Sequence, residues 1–177
     1  RIEARTGPED FAVSGIVRGA PFGAPNENHL AAILMHDDGR GVAVVALDGW
    51  FVPFALSDGE TRLDVPFLYM GQEQWKSWNE IRHRHYLDLL IDQTGEDAYL
   101  WTVKKSRHYD YADIPLFSPL APFIGLTGFP DGREMVRIVN ATTLYFFDNY
   151  VKSVSPGLFS LPDSPYITVR RGSASSS

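Results

Sequence analysis

Val42-Ala-Val-Val-Ala-Leu47 is an unbroken apolar run of small and β-branched residues. A strand with one wet face alternates apolar and polar residues. This one does not, so both of its faces must be covered, as happens inside a parallel sheet packed between helices. Two further runs share that character: Val65-Pro-Phe-Leu-Tyr-Met70, with Pro66 near its start, and Ala98-Tyr-Leu-Trp-Thr-Val103. Between the second and third, residues 75–91 carry Trp75, Trp78, Ile81, Tyr86, Leu89 and Leu90 at helical spacing, and Thr94-Gly95 supplies a stop. A long helix is expected over roughly 133–151, with an apolar side of Met135, Ile138, Thr142, Leu144, Tyr145 and Phe146. Strands and helices alternate. The fold class that follows is α/β, a mostly parallel sheet with helices on both faces.

The remaining segments read less sharply. Phe11–Val17 suits a short buried strand, and Gly19, Pro21, Gly23 and Pro25 mark a loop over 18–28. His29–His36 has helix-forming composition, ended by Asp37-Asp38-Gly39. Four prolines make residues 114–130 a packed irregular segment, and Tyr166–Val169 suits a short strand. The chain thus divides into an N-terminal segment (1–28), an α/β core (29–152) and a C-terminal extension with a flexible tail (153–177). At 177 residues, 44% apolar and 13% aromatic, it has the material for one domain with a real core.

Sixteen basic against 22 acidic residues give a net charge of −6, which argues against nucleic acid as a partner. With no cysteine there are no disulfides and no thiolate chemistry. No apolar run approaches the roughly 20 residues of an integral membrane helix, and no signal peptide is visible. Secreted and cytoplasmic locations both stay open.

In parallel sheets, chemistry lies beyond the carboxyl ends of the strands. Asp48 follows the first run directly, and His108 follows the third by a short loop. An Asp and a His on such loops can meet above the sheet. The Asp would hold one imidazole tautomer, and the His would carry a proton from a nucleophile to a leaving group. The bland alternative is a turn cap for Asp48 and an exposed loop histidine for His108. Asp110 and Asp113 read as loop caps. His83 and His85, two apart on one helix, face different sides and suit no shared metal.

Four segments carry a resemblance: Val44-Val-Ala-Leu-Asp-Gly-Trp50, Asp64-Val-Pro-Phe-Leu-Tyr-Met-Gly71, Ser106-Arg-His-Tyr-Asp-Tyr-Ala-Asp113, and Arg137-Ile-Val-Asn140 with Thr143-Leu-Tyr-Phe-Phe-Asp148. In that order, over about residues 30–152, the chain resembles the C-terminal half of the platelet-activating factor acetylhydrolase and dienelactone-hydrolase-like branch of the α/β hydrolases. The resemblance implies an α/β-hydrolase-type sheet and hydrolysis of short or oxidised acyl esters of lipids and phospholipids. It makes Asp48 the triad acid and His108 the triad base. Trp50 and Phe117 are candidates for the substrate pocket. The reading calls for no cofactor and no metal ion.

One part of the family pattern is missing. No Gly-x-Ser-x-Gly elbow occurs in the chain, and Gly23-Ala-Pro-Asn-Glu-Asn28, in the expected place, holds no serine. Three explanations stand. A second chain carries the N-terminal half and the nucleophile, which would also cover a 42–47 strand otherwise close to an open sheet edge. Or the chain is a truncated, inactive binding or interaction module. Or Ser14, before Gly15, is an unusual nucleophile.

Overall fold

The computed structural model describes residues 11–14, 30–36, 41–49, 63–73, 78–118, 120–128, 131–151 and 165–173. They form one six-stranded sheet in sequence order: β1 (Phe11–Ser14), β2 (Leu30–His36), β3 (Gly41–Leu47), β4 (Phe67–Gln72), β5 (Ala98–Val103) and β6 (Ile167–Arg171). The three continuous apolar runs are its parallel centre. Val44 stands opposite Phe67, and Phe67 opposite Ala98. Antiparallel strands flank this centre, β2 and β1 on one side and β6 on the other.

Both faces of the centre are covered. Ala43 and Val45, Leu68 and Met70, and Tyr99, Trp101 and Val103 point to one face, where helix α3 (Gly132–Val151) supplies Met135, Ile138 and Phe146. Ala46, Phe67, Tyr69, Ala98 and Leu100 point to the other, where helix α1 (Trp78–Thr94) supplies Leu87, Leu90 and Ile91. A two-residue period in adjacent strands therefore delivers two cores from one sheet. The α/β class holds.

Helix ends follow local chemistry. Asp131 caps α3, its Oδ1 accepting from the backbone N–H groups of Arg133 (2.9 Å) and Glu134 (3.3 Å). Helix α1 stops at Gly95, whose φ of +87° suits a residue without a Cβ, and whose N–H donates to the Ile91 carbonyl. Arg170 of β6 pairs with Asp88 and Asp92 of α1, tying the edge strand to the helix below it.

Four expectations need correction. Leu30–His36 is a strand, not a helix. Its leucines and alanines favour a helix only weakly, and pairing with β3 and β1 overrides that preference. That pairing also places β3 inside the sheet, so the 42–47 strand borders no open edge. On α1 the buried stripe runs His83, Leu87, Leu90 and Ile91, while Ile81 is exposed. On α3, Met135, Ile138, Thr142 and Phe146 are buried, but Leu144 and Tyr145 turn outward, roughly 100° per residue away from that stripe.

Candidate active site

β3 and β5 flank β4 and run the same way, so their carboxyl ends open on one edge of the sheet. Asp48 sits at the end of β3. Its N–H donates to the Met70 carbonyl at 2.6 Å, and its φ of +47° is a left-handed conformation that Asp tolerates better than most side chains. The carboxylate is buried, and four donors hold it. Oδ1 accepts from the Gln72 backbone N–H (3.0 Å) and the Tyr69 hydroxyl (3.4 Å). Oδ2 lies 2.9 Å from His108 Nδ1 and accepts from Gln72 Nε2 at 3.3 Å.

His108 opens a short 3-10 helix, His108–Tyr111, after β5. Its loop is stitched down at both ends. Ser106 Oγ bonds the Val103 carbonyl (2.8 Å) and the Tyr111 hydroxyl (2.9 Å). Buried Asp110 accepts from the N–H groups of Arg107 (2.7 Å) and Gly128 (2.8 Å). The Arg107 guanidinium reaches the Gly125 carbonyl. The imidazole is therefore presented by a fixed loop, with Tyr109 edge-on at 5.5 Å.

The pair is asymmetric in exposure. The Asp48 side chain is 2% exposed and the His108 side chain 45%. An ionised carboxylate only accepts, so His108 Nδ1 carries a proton in this bond and Nε2 is the basic nitrogen of the neutral ring. Burial, then the charge on Asp48, pushes the Tyr69 phenol well above its ordinary pKa. Burial and Asp48 push Tyr111 the same way. Both remain protonated around neutral pH.

Of the residues singled out from sequence, Asp48 and His108 are brought together. Trp50 lies outside the described residues. Phe117, on the short helix α2 (Ile114–Phe117), is 80% exposed, so it walls no enclosed pocket among the described residues. Ser14 ends β1 opposite Ile33, which stands opposite Val44. That register sets it two strands, about 10 Å, across from β3 and about 13 Å short of Asp48 along it. Asp110 is a loop cap, as read. His83 is buried and His85 exposed, facing different sides as their spacing requires. Among the described residues, no three His, Cys, Asp or Glu side chains group to hold a metal ion, and no helix is long and apolar enough to cross a membrane.

Tyr69, Gln72 and His83 were missed. Tyr69 hides in an apolar strand as one more aromatic. The usable signal for His83 was its spacing, four before Leu87 and seven before Leu90, which puts a polar ring in the buried stripe.

No protein-family model and no curated protein sequence matches the chain. Among solved structures it is similar to a ferulic acid esterase from Streptomyces cinnamoneus, with a TM-score of 0.56 at 18% identity. The match covers 73% of this chain and 39% of the esterase chain, so the chain spans well under half the length of that structure. The likeness shows a shared fold.

Proposed function

We propose that the chain is the acid–base part of a serine-type carboxylic ester hydrolase. Asp48 is its triad acid and His108 its triad base. The observation that carries this reading is the 2.9 Å contact between buried Asp48 Oδ2 and the Nδ1 of a partly exposed imidazole, at the carboxyl ends of parallel strands. The resemblance of the segments around both residues to the platelet-activating factor acetylhydrolase and dienelactone-hydrolase-like branch supports it. So does a shared fold with an esterase.

The chemistry follows from the geometry. His108 Nε2 takes the proton of a serine hydroxyl as its oxygen attacks the ester carbonyl carbon, and Asp48 stabilises the imidazolium that forms. When the C–O bond to the leaving alcohol breaks, the same proton passes to that oxygen, leaving an acyl-serine. Water then repeats the sequence and releases the acid. The substrate class the resemblance supports is a lipid or phospholipid acyl ester.

The serine lies outside residues 1–177, in the N-terminal part of the fold, whether that part precedes these residues in the same polypeptide or sits on a second chain. The absence of a Gly-x-Ser-x-Gly elbow and the register of Ser14 support that assignment. They equally favour the second reading, an inactive hydrolase-like module that binds without turnover. A fluorophosphonate ester probe with intact mass of every chain in the native assembly separates the two. The esterase reading expects a labelled serine outside residues 1–177, with labelling lost on His108→Ala. A folded assembly that takes no label overturns it. A label within residues 1–177 would move the nucleophile to a serine here, Ser14 first.

A further inference from the structure

Asp48 has a second layer behind it, on the α1 side of the sheet. The Tyr69 oxygen lies 3.1 Å from His83 Nε2, 3.3 Å from the Gly49 carbonyl and 3.4 Å from Asp48 Oδ1. Tyr69, His83 and Asp48 are all buried, and the Tyr69 and His83 rings meet at 5.8 Å.

Proton accounting decides the direction of these bonds. A phenol has one proton to give and lone pairs to receive with. Ionised Asp48 and the Gly49 carbonyl can only accept. Were Tyr69 to donate to His83, its lone pairs would face two buried acceptors, depriving the Gly49 carbonyl of this donor and leaving Asp48 Oδ1 to the Gln72 N–H. With the proton on His83 Nε2 instead, His83 donates to Tyr69, and Tyr69 turns its own proton toward Asp48 and Gly49. Asp48 and the Gly49 carbonyl then each face a donor. Among the described residues, the charged side chains that act on the phenol are Asp48 and, opposing it more weakly, Arg84, and burial with Asp48 keeps Tyr69 a donor. Glycine at 71 is part of the same arrangement. A Cβ there would lie 2.8 Å from both the Tyr69 hydroxyl and Asp48 Oδ1.

We propose that Tyr69 and His83 are positioning residues for the Asp48–His108 pair. His83, protonated at Nε2, holds the Tyr69 hydroxyl, which donates to Asp48 Oδ1 and leaves Oδ2 aimed at His108. The inference rests on Asp48 and His108 being the acid and base.

The test is long-range proton–nitrogen NMR of the histidine rings in the whole ¹⁵N-labelled chain, which needs no turnover. His83 is expected as the Nε2–H tautomer. Tyr69→Phe removes one donor from the carboxylate, so more of its charge acts on His108, and the His108 titration midpoint is expected to rise by roughly a few tenths of a unit. Asp48→Asn is expected to lower that midpoint. A His83 proton on Nδ1 overturns the positioning role. So does a His108 midpoint that responds to Asp48→Asn but ignores Tyr69→Phe. A midpoint indifferent to Asp48→Asn instead removes the acid–base pair, and the inference with it. The tautomer is read in the unmodified chain, so the proposal is decided even if Tyr69→Phe fails to fold.

Discussion

His108 Nδ1 lies 2.9 Å from Asp48 Oδ2, although 60 positions separate the two residues. Gln72 grips the same carboxylate twice, through its backbone and its side chain. In Asp48→Asn the fold has the same shape to fill, but the side chain is neutral and can offer its own N–H to His108. The imidazole then settles in the wrong tautomer and its charged form loses its partner. On the proposed esterase reading, activity of the protein together with its nucleophile-bearing part is expected to fall by roughly 10³-fold or more, mostly in kcat. Steady-state kinetics on a short-chain aryl ester checks this, and a loss confined to KM would contradict it.

Asp110 is a different kind of carboxylate, one that holds a loop together. It accepts from Arg107 N–H on the His108 side and from Gly128 N–H across the loop. Asp110→Ala orphans two backbone donors at once. The unfolding free energy is expected to drop by about 1–3 kcal/mol, with Asp110→Asn costing less because its oxygen still accepts. Urea denaturation of the two variants against the parent measures the difference, and equal losses would show that the carboxylate charge, not merely an accepting oxygen, holds the loop.

Gly71 carries a prediction about space. The Cβ of an alanine there would sit 2.4 Å from Tyr69 Cε1. That contact is with a ring locked in the core, so it cannot be relieved by a flexible tip. Gly71→Ala is expected to destabilise the chain by about 1–3 kcal/mol and to perturb the His108 ring resonances, because the displaced Tyr69 pushes on Asp48. A variant as stable as the parent, with His108 unmoved, would show that the strand yields elsewhere.

How far these features were legible depends on the reach of each signal. The central strands announced themselves because burial on both faces leaves no polar register in 42–47 or 98–103. Asp48 and His108 were legible for a related reason, since each is an ionisable residue just past such a run. Leu30–His36 was not, because its composition suits a helix and only its hydrogen-bonded neighbours make it a strand. The second layer was hidden more deeply. Tyr69 matters through one oxygen at the tip of a ring that otherwise packs as core. His83 matters because α1 crosses the face to which Tyr69 points, a juxtaposition that the order of residues does not contain.

Tyr111 offers a test of burial through pH. Its hydroxyl bonds Ser106 Oγ at 2.9 Å, while burial first and the charge on Asp48 second push its pKa well above the ordinary 10. A folded pKa raised above the unfolded one means stability that is complete below the unfolded pKa and lost as pH climbs toward the folded one. In that window the unfolded chain sheds the proton and the folded chain cannot, which costs up to about 1.4 kcal/mol per pH unit for each such tyrosine. Tyr69 adds to the same slope. Tyr111→Phe gives up the bond to Ser106, so near neutrality it is expected to be less stable by about 1 kcal/mol. Between about pH 9 and about pH 11, however, it has one buried phenol fewer to lose. Its urea midpoint should therefore fall less steeply than that of the parent, and the gap between the two should narrow. Parallel lines across that range would mean that Tyr111 ionises in place, without unfolding.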